Sequence, residues 1–308
     1  MALERWRALS PAAATINHAH HLPLGYRASQ GALERVACGR LPGEVLAANL
    51  SCSMIAASLQ SGSNGNCTFV QSGGTRLLFD AGISGKEAES RLRTLGHDIR
   101  QVDALVVSHD HRDHIASVGV FQRLFGMRLF ATPRTLEAAR RRIALGELGE
   151  VRFFRAGEAI AVGGIRIETL ATPHDAADGS VFVVCAEGKR LGILTDLGHD
   201  FAELRALMPT LDAAFLESNY DPELLASGAY PAKLKRRITG PRGHLSNEQC
   251  ASLVELGAAH RLRWVCLSHL SEQNNRPELA LRAHQAAAAD RVRLVVAPRY
   301  SASALLEL

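Results

Sequence analysis

The residues whose types and spacing most clearly suit metal binding form one short segment, Ser108-His109-Asp110-His111-Arg112-Asp113-His114. The segment follows an apolar run over 104–107 that is typical of a buried strand, and a helix-like run comes after it. Imidazole and carboxylate groups are the ligands that zinc and similar divalent ions bind. His109 and His111 lie two positions apart, so extended backbone directs both side chains to one side. Asp113-His114 could face a second ion, and two ions would need further ligands from elsewhere in the chain.

The bulk composition indicates a globular protein and excludes several classes. The 308 residues are 47% hydrophobic and 21% charged, which suits one large core or two small ones. A formal net charge of +4 permits an anionic partner without requiring one. The six cysteines form no CxxC pair, so we expect reduced thiols in a cytoplasmic protein. No apolar run approaches the length of a membrane span or of a signal-peptide core, so neither a membrane partner nor secretion is expected.

The chain divides into two parts with different patterns. Residues 1–53 are rich in alanine with scattered prolines and no persistent period, so we expect a poorly structured N-terminal extension. Met54 opens a strand-like run, and we expect it to lie close to the functional start. Residues 54–308 begin with a predicted antiparallel meander and continue with alternating strands and helices, including a predicted helix over 115–125. This count of elements suits two sheets covered by helices.

The meander, the alternation and the His-x-His-x-Asp-His loop together resemble the metallo-β-lactamase fold, over residues 54 to about 300. The resemblance implies an α/β protein with a four-layer αββα sandwich. It also implies further metal ligands at the ends of later strands, where this chain has His174, Asp196 and His269. Each also has an ordinary interpretation: a surface histidine, a helix N-cap and a polar strand terminus, respectively.

The resemblance implies a particular assignment of ligands to two ions. One ion would be held by His109, His111 and His174, and the other by Asp113, His114 and His269, with Asp196 and a hydroxide bridging both. A water between two cations has a lowered pKa and becomes a nucleophile at neutral pH. No cysteine falls at a ligand position. The histidines suit zinc, and the carboxylates also admit manganese.

Two further residues have a role implied by the resemblance. Asp80, in Phe79-Asp80-Ala81-Gly82, would orient a histidine ligand by fixing its tautomer, although an Asx turn with Gly82 is an alternative. His244, in Gly243-His244-Leu245-Ser246, resembles the His-Ser/Thr element of the tRNA-maturing endonucleases of the fold. It could stabilise a charged phosphorane-like state or protonate a leaving oxygen, and a helix-capping or surface role is the alternative. The resemblance implies that the catalytic residues are His244 together with the metal-binding carboxylates Asp113 and Asp196.

A basic run directly before His244 points to an anionic substrate. A phosphate backbone needs positive charge near the scissile bond, and a solvated basic helix face is the alternative interpretation. Because phosphate contacts do not read bases, we expect low sequence specificity. The residues of this run are Lys233, Lys235, Arg236, Arg237 and Arg242.

Several short strings accompany the histidine-rich loop: Ser61-Gly62-Ser63-Asn64-Gly65-Asn66-Cys67, Asp80-Ala81-Gly82-Ile83-Ser84, Pro173-His174-Asp175-Ala176, Thr195-Asp196-Leu197-Gly198, Gly243-His244-Leu245-Ser246-Asn247 and Leu267-Ser268-His269-Leu270-Ser271. Two further strings have open roles: Glu217-Ser218-Asn219 could line the cleft, support His244 or end a strand, and Asn274-Asn275 could bind phosphate or cap a helix. Together the strings resemble the YycJ/WalJ branch of bacterial metallo-β-lactamase-fold proteins. This resemblance implies a two-metal phosphodiesterase acting on DNA as a 5′-to-3′ exonuclease. The alternatives are an ester, lactone or thioester hydrolase and a non-catalytic metal protein.

Overall fold

A computed structural model describes residues 53–308, and the extension expected over residues 1–53 lies outside the described residues except for its last member. In the described part, two seven-stranded sheets each combine antiparallel and parallel pairing. Helices cover the outer face of each sheet. The four-layer αββα arrangement expected from the sequence is therefore confirmed.

The first sheet has the order β14-β1-β2-β3-β4-β5-β6. The pairs from β14 to β3 are antiparallel, which confirms the predicted meander, and the pairs from β3 to β6 are parallel. The strands are β1 Met54–Gln60, β2 Cys67–Ser72, β3 Thr75–Phe79, β4 Ala104–Val106, β5 Arg128–Ala131, β6 Val151–Phe153 and β14 Leu306–Glu307.

The second sheet has the order β13-β12-β11-β10-β9-β8-β7. The pairs among β7 to β10 are antiparallel, and the pairs from β10 to β13 are parallel. Consequently β8, β10, β11 and β12 all run in one direction and end at one edge. The strands are β7 Ala159–Val162, β8 Ile165–Ala171, β9 Ser180–Ala186, β10 Lys189–Leu194, β11 Ala213–Glu217, β12 Trp264–Ser268 and β13 Arg293–Val296.

The helices connect the parallel strands and carry ordinary capping signals. Ser246 and Gln249 form the capping box that their spacing predicts, with the Ser246 hydroxyl accepting from the Gln249 N–H. Within residues 53–308, no helix has both the length and the apolar character needed to span a bilayer. The helices are α1 Gly85–Thr94, α2 Arg112–Ile115, α3 Val118–Phe125, α4 Pro133–Arg142, α5 Ala202–Leu207, α6 Pro222–Ser227, α7 Ala232–Ile238, α8 Asn247–Ala258 and α9 Pro277–Ala288.

Alternation along the strands separates the apolar residues into three layers. In β3, Leu77 and Phe79 face the core between the sheets, whereas Leu78 packs beneath the helices on the outer face. In β11, Phe215 faces the inner core and Leu216 faces the other helical layer. Successive strand residues point to opposite faces, so a strand buried on both sides is apolar at almost every position.

Three elements differ from the sequence predictions, each for a local reason. The single helix expected over 115–125 is two helices, because the Ser117 N–H donates to the Ala81 carbonyl at 2.8 Å instead of continuing the first helix. The unpredicted helix α6 starts with Asp221 as N-cap and Pro222 at its first position, a readable signal. The short strand β14 exists through its pairing with β1, which no local pattern encodes.

The strands end in unusual backbone at three polar residues. Asp80, Asp196 and His269 follow β3, β10 and β12, and their φ angles are 63°, 59° and 56°. Side chains other than glycine rarely occupy this left-handed region, and such residues cluster where the surrounding structure holds them for a purpose.

Gly82 sits where backbone segments meet tightly, which yields a stability prediction. A Cβ atom at Gly82 would lie 1.7 Å from the carbonyl oxygen of Asp113, so Gly82→Ala must displace the loop. We expect the substitution to lower the free energy of unfolding by about 1–3 kcal/mol, measured by chemical denaturation. Gly74→Ala is the matched control, because its Cβ would meet nothing within 4 Å, and it should change stability by less than about 0.5 kcal/mol. Equal stability of the two variants would contradict the close approach.

Candidate metal centre

The polar cluster lies at the edge where strands of both sheets end. β3 and β4 of the first sheet lead into Asp80 and the histidine-rich loop, and β8, β10 and β12 of the second lead into His174, Asp196 and His269. The Ser180 N–H donates to the Ser108 carbonyl at 3.0 Å and joins the loop to the second sheet. The position fits the general rule that α/β sheets place their sites beyond the carboxyl ends of strands.

The histidine-rich loop is shaped by a residue that faces away from the cluster. Asp110 is fully buried and accepts hydrogen bonds from Arg142 Nε at 2.5 Å and from the Ala177 N–H at 2.8 Å. His111 is the N-cap of α2, and its extended backbone starts the helix that carries Asp113 and His114. Asp110 therefore anchors the loop, while the flanking histidines turn inward.

Two groups of three potential ligands form in this way. His109, His111 and His174 offer ligand atoms that all lie within 4.8 Å of one another, and His111 Nδ1 is 3.2 Å from His174 Nε2. The second group brings together Asp113, His114 and His269 within the same limit. In it, Asp113 Oδ2 lies 3.3 Å from His269 Nε2 and 3.5 Å from His114 Nε2.

Asp196 lies between the two groups. Its carboxylate oxygens are 3.1 Å from His114 Nε2, 3.5 Å from His174 Nε2 and 3.7 Å from His269 Nε2. The side chain is 3% exposed. The structure thus brings all seven sequence-predicted ligands into one buried cluster, with the carboxylate of Asp196 in reach of histidines from both groups.

The donor set fits divalent cations on a structural criterion. Nε2 of His109 is buried and makes no hydrogen bond within the described part of the chain. A buried polar atom without a partner costs about 1–3 kcal/mol, so such atoms are uncommon in folded proteins. The ring of His109 packs against the rings of His111, His114 and His174, so a cation bound in the cluster would satisfy this nitrogen.

The protonation states of the ligands also suit metal binding. Burial lowers the pKa of His109, His111 and His174, which keeps these imidazoles neutral with a free lone pair. Burial opposes ionisation of Asp113 and Asp196, but neighbouring His114 and His269 outweigh it and hold the pKa of each carboxyl well below its usual range. Neutral imidazole and ionised carboxylate are the forms that bind zinc or manganese.

Asp80 contacts the cluster through one histidine. Its Oδ2 accepts from His114 Nδ1 at 2.7 Å, and its Oδ1 accepts from the Ser108 N–H at 2.8 Å. This contact fixes the ring so that Nε2 of His114 faces Asp113 and Asp196. Burial disfavours a charged His114, but Asp80, Asp196 and Asp113 outweigh burial and raise the pKa of His114 well above its usual value.

His244 lies beside the ligand cluster and is held by Glu217. His244 Nδ1 is 2.5 Å from Glu217 Oε1 and 3.6 Å from Asp196 Oδ1, and its ring stacks on His269 with centroids 5.3 Å apart. Glu217 is fully buried at the end of β11, and its other oxygen accepts from the Leu197 N–H at 2.9 Å. Burial opposes the charged form of His244, but Glu217 and then Asp196 outweigh it and raise the pKa of His244 to about 9. Of the interpretations left open for Glu217, the structure shows two: it ends β11 and it contacts His244.

The predicted basic residues divide into two sets. Arg237 Nε donates to Asp175 Oδ2 at 2.6 Å, and Arg242 donates to the His174 carbonyl at 3.3 Å, so both adjoin the cluster. Lys235 instead donates to the Ala226 carbonyl at 2.6 Å. Lys233 and Arg236 are exposed on α7.

Two contributors to the site were missed in the sequence. Asn66 places Nδ2 at 3.2 Å from Asp113 Oδ2 and 3.0 Å from His114 Nε2, although the sequence analysis gave its segment no role at the site. Asp175 places Oδ1 at 3.5 Å from His111 Nε2 and 3.4 Å from His174 Nε2. Its position directly after His174 was the available signal.

Asn274 and Asn275, for which phosphate binding and helix capping were both open, make hydrogen bonds inside the protein. The Asn275 side-chain amide donates to the Ser218 and Asn219 carbonyls at 2.8 and 3.1 Å. Asn274 donates to Ser271 Oγ through its backbone N–H at 3.2 Å. Both residues are buried and support the segment next to β11.

Comparison with known proteins identifies relatives along most of the chain. The family described as "Beta-lactamase superfamily domain" matches residues 75–270. The exodeoxyribonuclease WalJ of Streptococcus pneumoniae is 35% identical over 224 residues, which covers 72% of this chain and 83% of that protein. The exodeoxyribonuclease YycJ of Bacillus anthracis is 32% identical over 222 residues, which covers 72% of this chain and 84% of that protein.

A solved structure agrees at the level of the fold. The metallo-β-lactamase fold protein YhfI from Bacillus subtilis superposes with a TM-score of 0.62 and 13% identity, covering 83% of this chain and all of that one. Family membership together with the His/Asp cluster makes the chain a metal-dependent hydrolase that uses divalent cations. The chain belongs to the β-lactamase superfamily domain family, in the branch that contains WalJ and YycJ.

Proposed function

We propose that the protein is a two-metal phosphodiesterase that degrades DNA from the 5′ end. The observation that carries the proposal is the position of His244. Its Nδ1 lies 2.5 Å from Glu217 Oε1 and 3.6 Å from Asp196 Oδ1, so the imidazole is fixed directly beside the ligand cluster. The naming of two relatives as exodeoxyribonucleases supports DNA as the substrate. Because that substrate lies inside the cell, the proposal includes the cytoplasm as the compartment.

The proposed ligands divide between two ions, zinc or manganese. His109, His111 and His174 would hold one ion. The other would be held by Asp113, His114 and His269, with Asp196 shared. Bound there, the ions would supply a nucleophilic water at neutral pH and offset the negative charge of the phosphodiester.

Several residues of the chain would position these ligands and nothing more. Asp80 holds Nδ1 of His114, which leaves Nε2 to point into the site. Asn219 lies 3.1 Å from Nδ1 of His269, and Ser61 Oγ accepts the His269 N–H at 2.7 Å. These contacts fix the rings before any substrate arrives, which lowers the cost of ordering the site.

His244 would act on the leaving group. Glu217 occupies Nδ1, so Nε2 remains to donate a proton to the departing 3′ oxygen or to stabilise the charged phosphorane-like state. The raised pKa keeps the ring protonated at neutral pH, which is the form that a general acid requires. An ester hydrolase with a more acidic leaving group would depend on such a residue far less.

The basic residues would hold the strand. Arg237 and Arg242 adjoin His174 and are placed to contact the phosphates next to the scissile bond. Lys233 shares the face of α7 with Arg237, since the two are four positions apart, whereas Lys235 donates to the Ala226 carbonyl. Contacts of this kind bind the backbone without reading bases.

A nuclease assay tests the proposed activity and its direction. Metal-loaded protein should release nucleotides from 5′-phosphorylated linear DNA, with a 5′-terminal label released before a 3′-terminal one. Circular DNA should resist, and RNA should be degraded more slowly, with zinc and manganese tested separately. No release of nucleotides from any DNA or RNA with either metal, at any salt concentration, would refute the proposal.

Replacement of His244 separates a phosphodiesterase from an ester hydrolase. His244→Ala should lower kcat on DNA by about 10²–10⁴-fold, because it removes the proposed proton donor while leaving the metal ligands in place. His260→Ala is the matched control, since His260 is exposed at the end of α8, and it should keep full activity. Unchanged DNA cleavage by His244→Ala, with metal content intact, would contradict the assigned role.

The pH dependence of cleavage tests the contact between Glu217 and His244. A group with pKa of about 9 is protonated below that pH, so kcat should fall as the pH rises through about 9. Glu217→Gln removes the negative charge that raises this pKa, so the alkaline fall should move to lower pH. Glu248→Gln, at an exposed position on α8, should leave the profile unchanged. A profile that Glu217→Gln does not move would show that another group controls the alkaline limb.

A further inference from the structure

His111 differs from the other histidines of the ligand cluster in how its ring is held. Its side chain is 16% exposed, whereas His109, His114, His174 and His269 are each 3% exposed or less. Packing alone therefore fixes the ring of His111 less firmly than it fixes the others. A metal-binding histidine usually donates its second ring N–H to a carboxylate or a carbonyl, which sets both the tautomer and the orientation of the ring.

Three of the buried histidines have such a partner at Nδ1, which leaves Nε2 free for an ion. Nδ1 lies 2.9 Å from Ser108 Oγ in His109, 2.7 Å from Asp80 Oδ2 in His114 and 2.9 Å from the Gly243 carbonyl in His174.

His111 has the opposite arrangement of its ring nitrogens. Its Nδ1 faces the cluster, 3.2 Å from His174 Nε2, so the ion of His109, His111 and His174, here called the first ion, would bind this nitrogen. Its Nε2 lies 3.5 Å from Asp175 Oδ1. A neutral imidazole that binds an ion through Nδ1 carries its hydrogen on Nε2, so the N–H of His111 belongs on the side of Asp175.

Asp175 is held in place but has one oxygen that lacks a donor. Its Oδ2 accepts from Arg237 Nε at 2.6 Å, and its backbone N–H donates to the Arg242 carbonyl at 3.1 Å. Its Oδ1 is buried and makes no hydrogen bond among the described residues. Leaving a buried acceptor unpaired costs about 1–3 kcal/mol, so a donor at this oxygen would stabilise the site.

His111 is the histidine that can supply this donor. Oδ1 of Asp175 also lies 3.4 Å from His174 Nε2, but the hydrogen of that ring is on Nδ1, because Nδ1 contacts a carbonyl that can only accept. The 3.5 Å between His111 Nε2 and Asp175 Oδ1 exceeds the usual length of a hydrogen bond by about 0.5 Å, which a small rotation of the partly exposed ring removes.

We propose that Asp175 is a positioning residue for the first ion: its Oδ1 accepts from Nε2 of His111 and thereby directs Nδ1 of that ring to the metal. The inference rests on the two-ion ligand set of the proposed function and does not depend on DNA as the substrate. It also extends the support of the metal centre to the segment after α7. That segment holds His111 through Asp175 and holds His174 through the Gly243 carbonyl.

The test measures zinc affinity and the state of the His111 ring in the full-length protein loaded with zinc. Competition with a chromophoric chelator gives the affinity of each ion, and nuclear magnetic resonance of protein with ¹⁵N-labelled histidine shows which ring nitrogen binds metal and which carries hydrogen. Asp175→Asn keeps the size of the side chain and removes its charge. Asp178→Asn is the matched control, because it removes the same charge from the same loop, and Asp178 contacts Thr135 through its backbone carbonyl.

Asp175→Asn should bind one of the two ions about 10–100-fold more weakly and the other within about threefold of the parent. Asp178→Asn should match the parent for both ions. In the parent, one histidine should bind zinc through Nδ1 and carry a slowly exchanging hydrogen on Nε2. In Asp175→Asn that hydrogen should exchange with water faster or disappear from the spectrum, a change that a general loss of stability would not produce.

Several results would overturn the role of Asp175. The spectrum of the parent decides even if Asp175→Asn does not fold, because a parent without a ring that binds zinc at Nδ1 and carries hydrogen on Nε2 contradicts the proposal. A loss of affinity with an unchanged Nε2 signal would show an effect of charge alone, and an equal weakening of both ions would show that the loop supports the whole cluster.

The outcome for the proposed function can be told apart from the outcome for Asp175. A parent that binds two zinc ions with the expected His111 signal but cleaves no DNA would end the phosphodiesterase proposal and support the positioning role. A parent that binds no zinc would end both.

Discussion

The site depends on the contact between buried carboxylates and imidazoles at the edge where the two sheets end. Asp196, His114 and His269 are each 2% exposed or less, so none of them has water to stabilise a charge. An isolated buried charge costs several kcal/mol, and it persists only with partners close by. The Asp196 carboxylate lies 3.1 Å from His114, whose pKa its carboxylate neighbours raise, and divalent cations bound in the cluster would offset the same negative charge.

The fold supplies this contact by stopping strands at chosen residues. Asp80, Asp196 and His269 each leave a strand in left-handed backbone, which turns the side chain into the cleft. The buried supports behind them are polar throughout: Asp80 holds His114, and Glu217 holds both His244 and the Leu197 N–H. Because strands of both sheets supply ligands, the site also connects the two sheets. Replacement of one ligand should therefore alter the packing of both sheets around the site.

Local sequence patterns were sufficient for the elements that satisfy local rules. The apolar runs of β3 and β11, the capping box at Ser246 and the loop from His109 to His114 all depend on short-range patterns. The convergence of the later ligands came from resemblance to a family, since no spacing states that His174 and His269 meet. The clearest omissions were Asn66 and Asp175, whose contacts with the histidines exist only after the sheets have paired.

The sequence alone also does not show which basic residues contact the site. The basic run before His244 was readable as a run, but the difference between Arg237, tied to Asp175, and Lys235, tied to a carbonyl, arises from which side of α7 faces the cleft. Arg142 of α4 was not singled out either, because its contact with Asp110 joins residues that are 32 positions apart in the chain. Long-range packing therefore decides which of many similar cations belong to the site.

Anomalous diffraction from crystals grown with zinc or manganese would test the central claim most directly. Two peaks about 3.5–4 Å apart are predicted. One should lie among His109, His111 and His174, the other among Asp113, His114 and His269, with Asp196 in contact with both. No peak in the cluster, or a single ion that leaves Asp196 uncoordinated, would contradict the account.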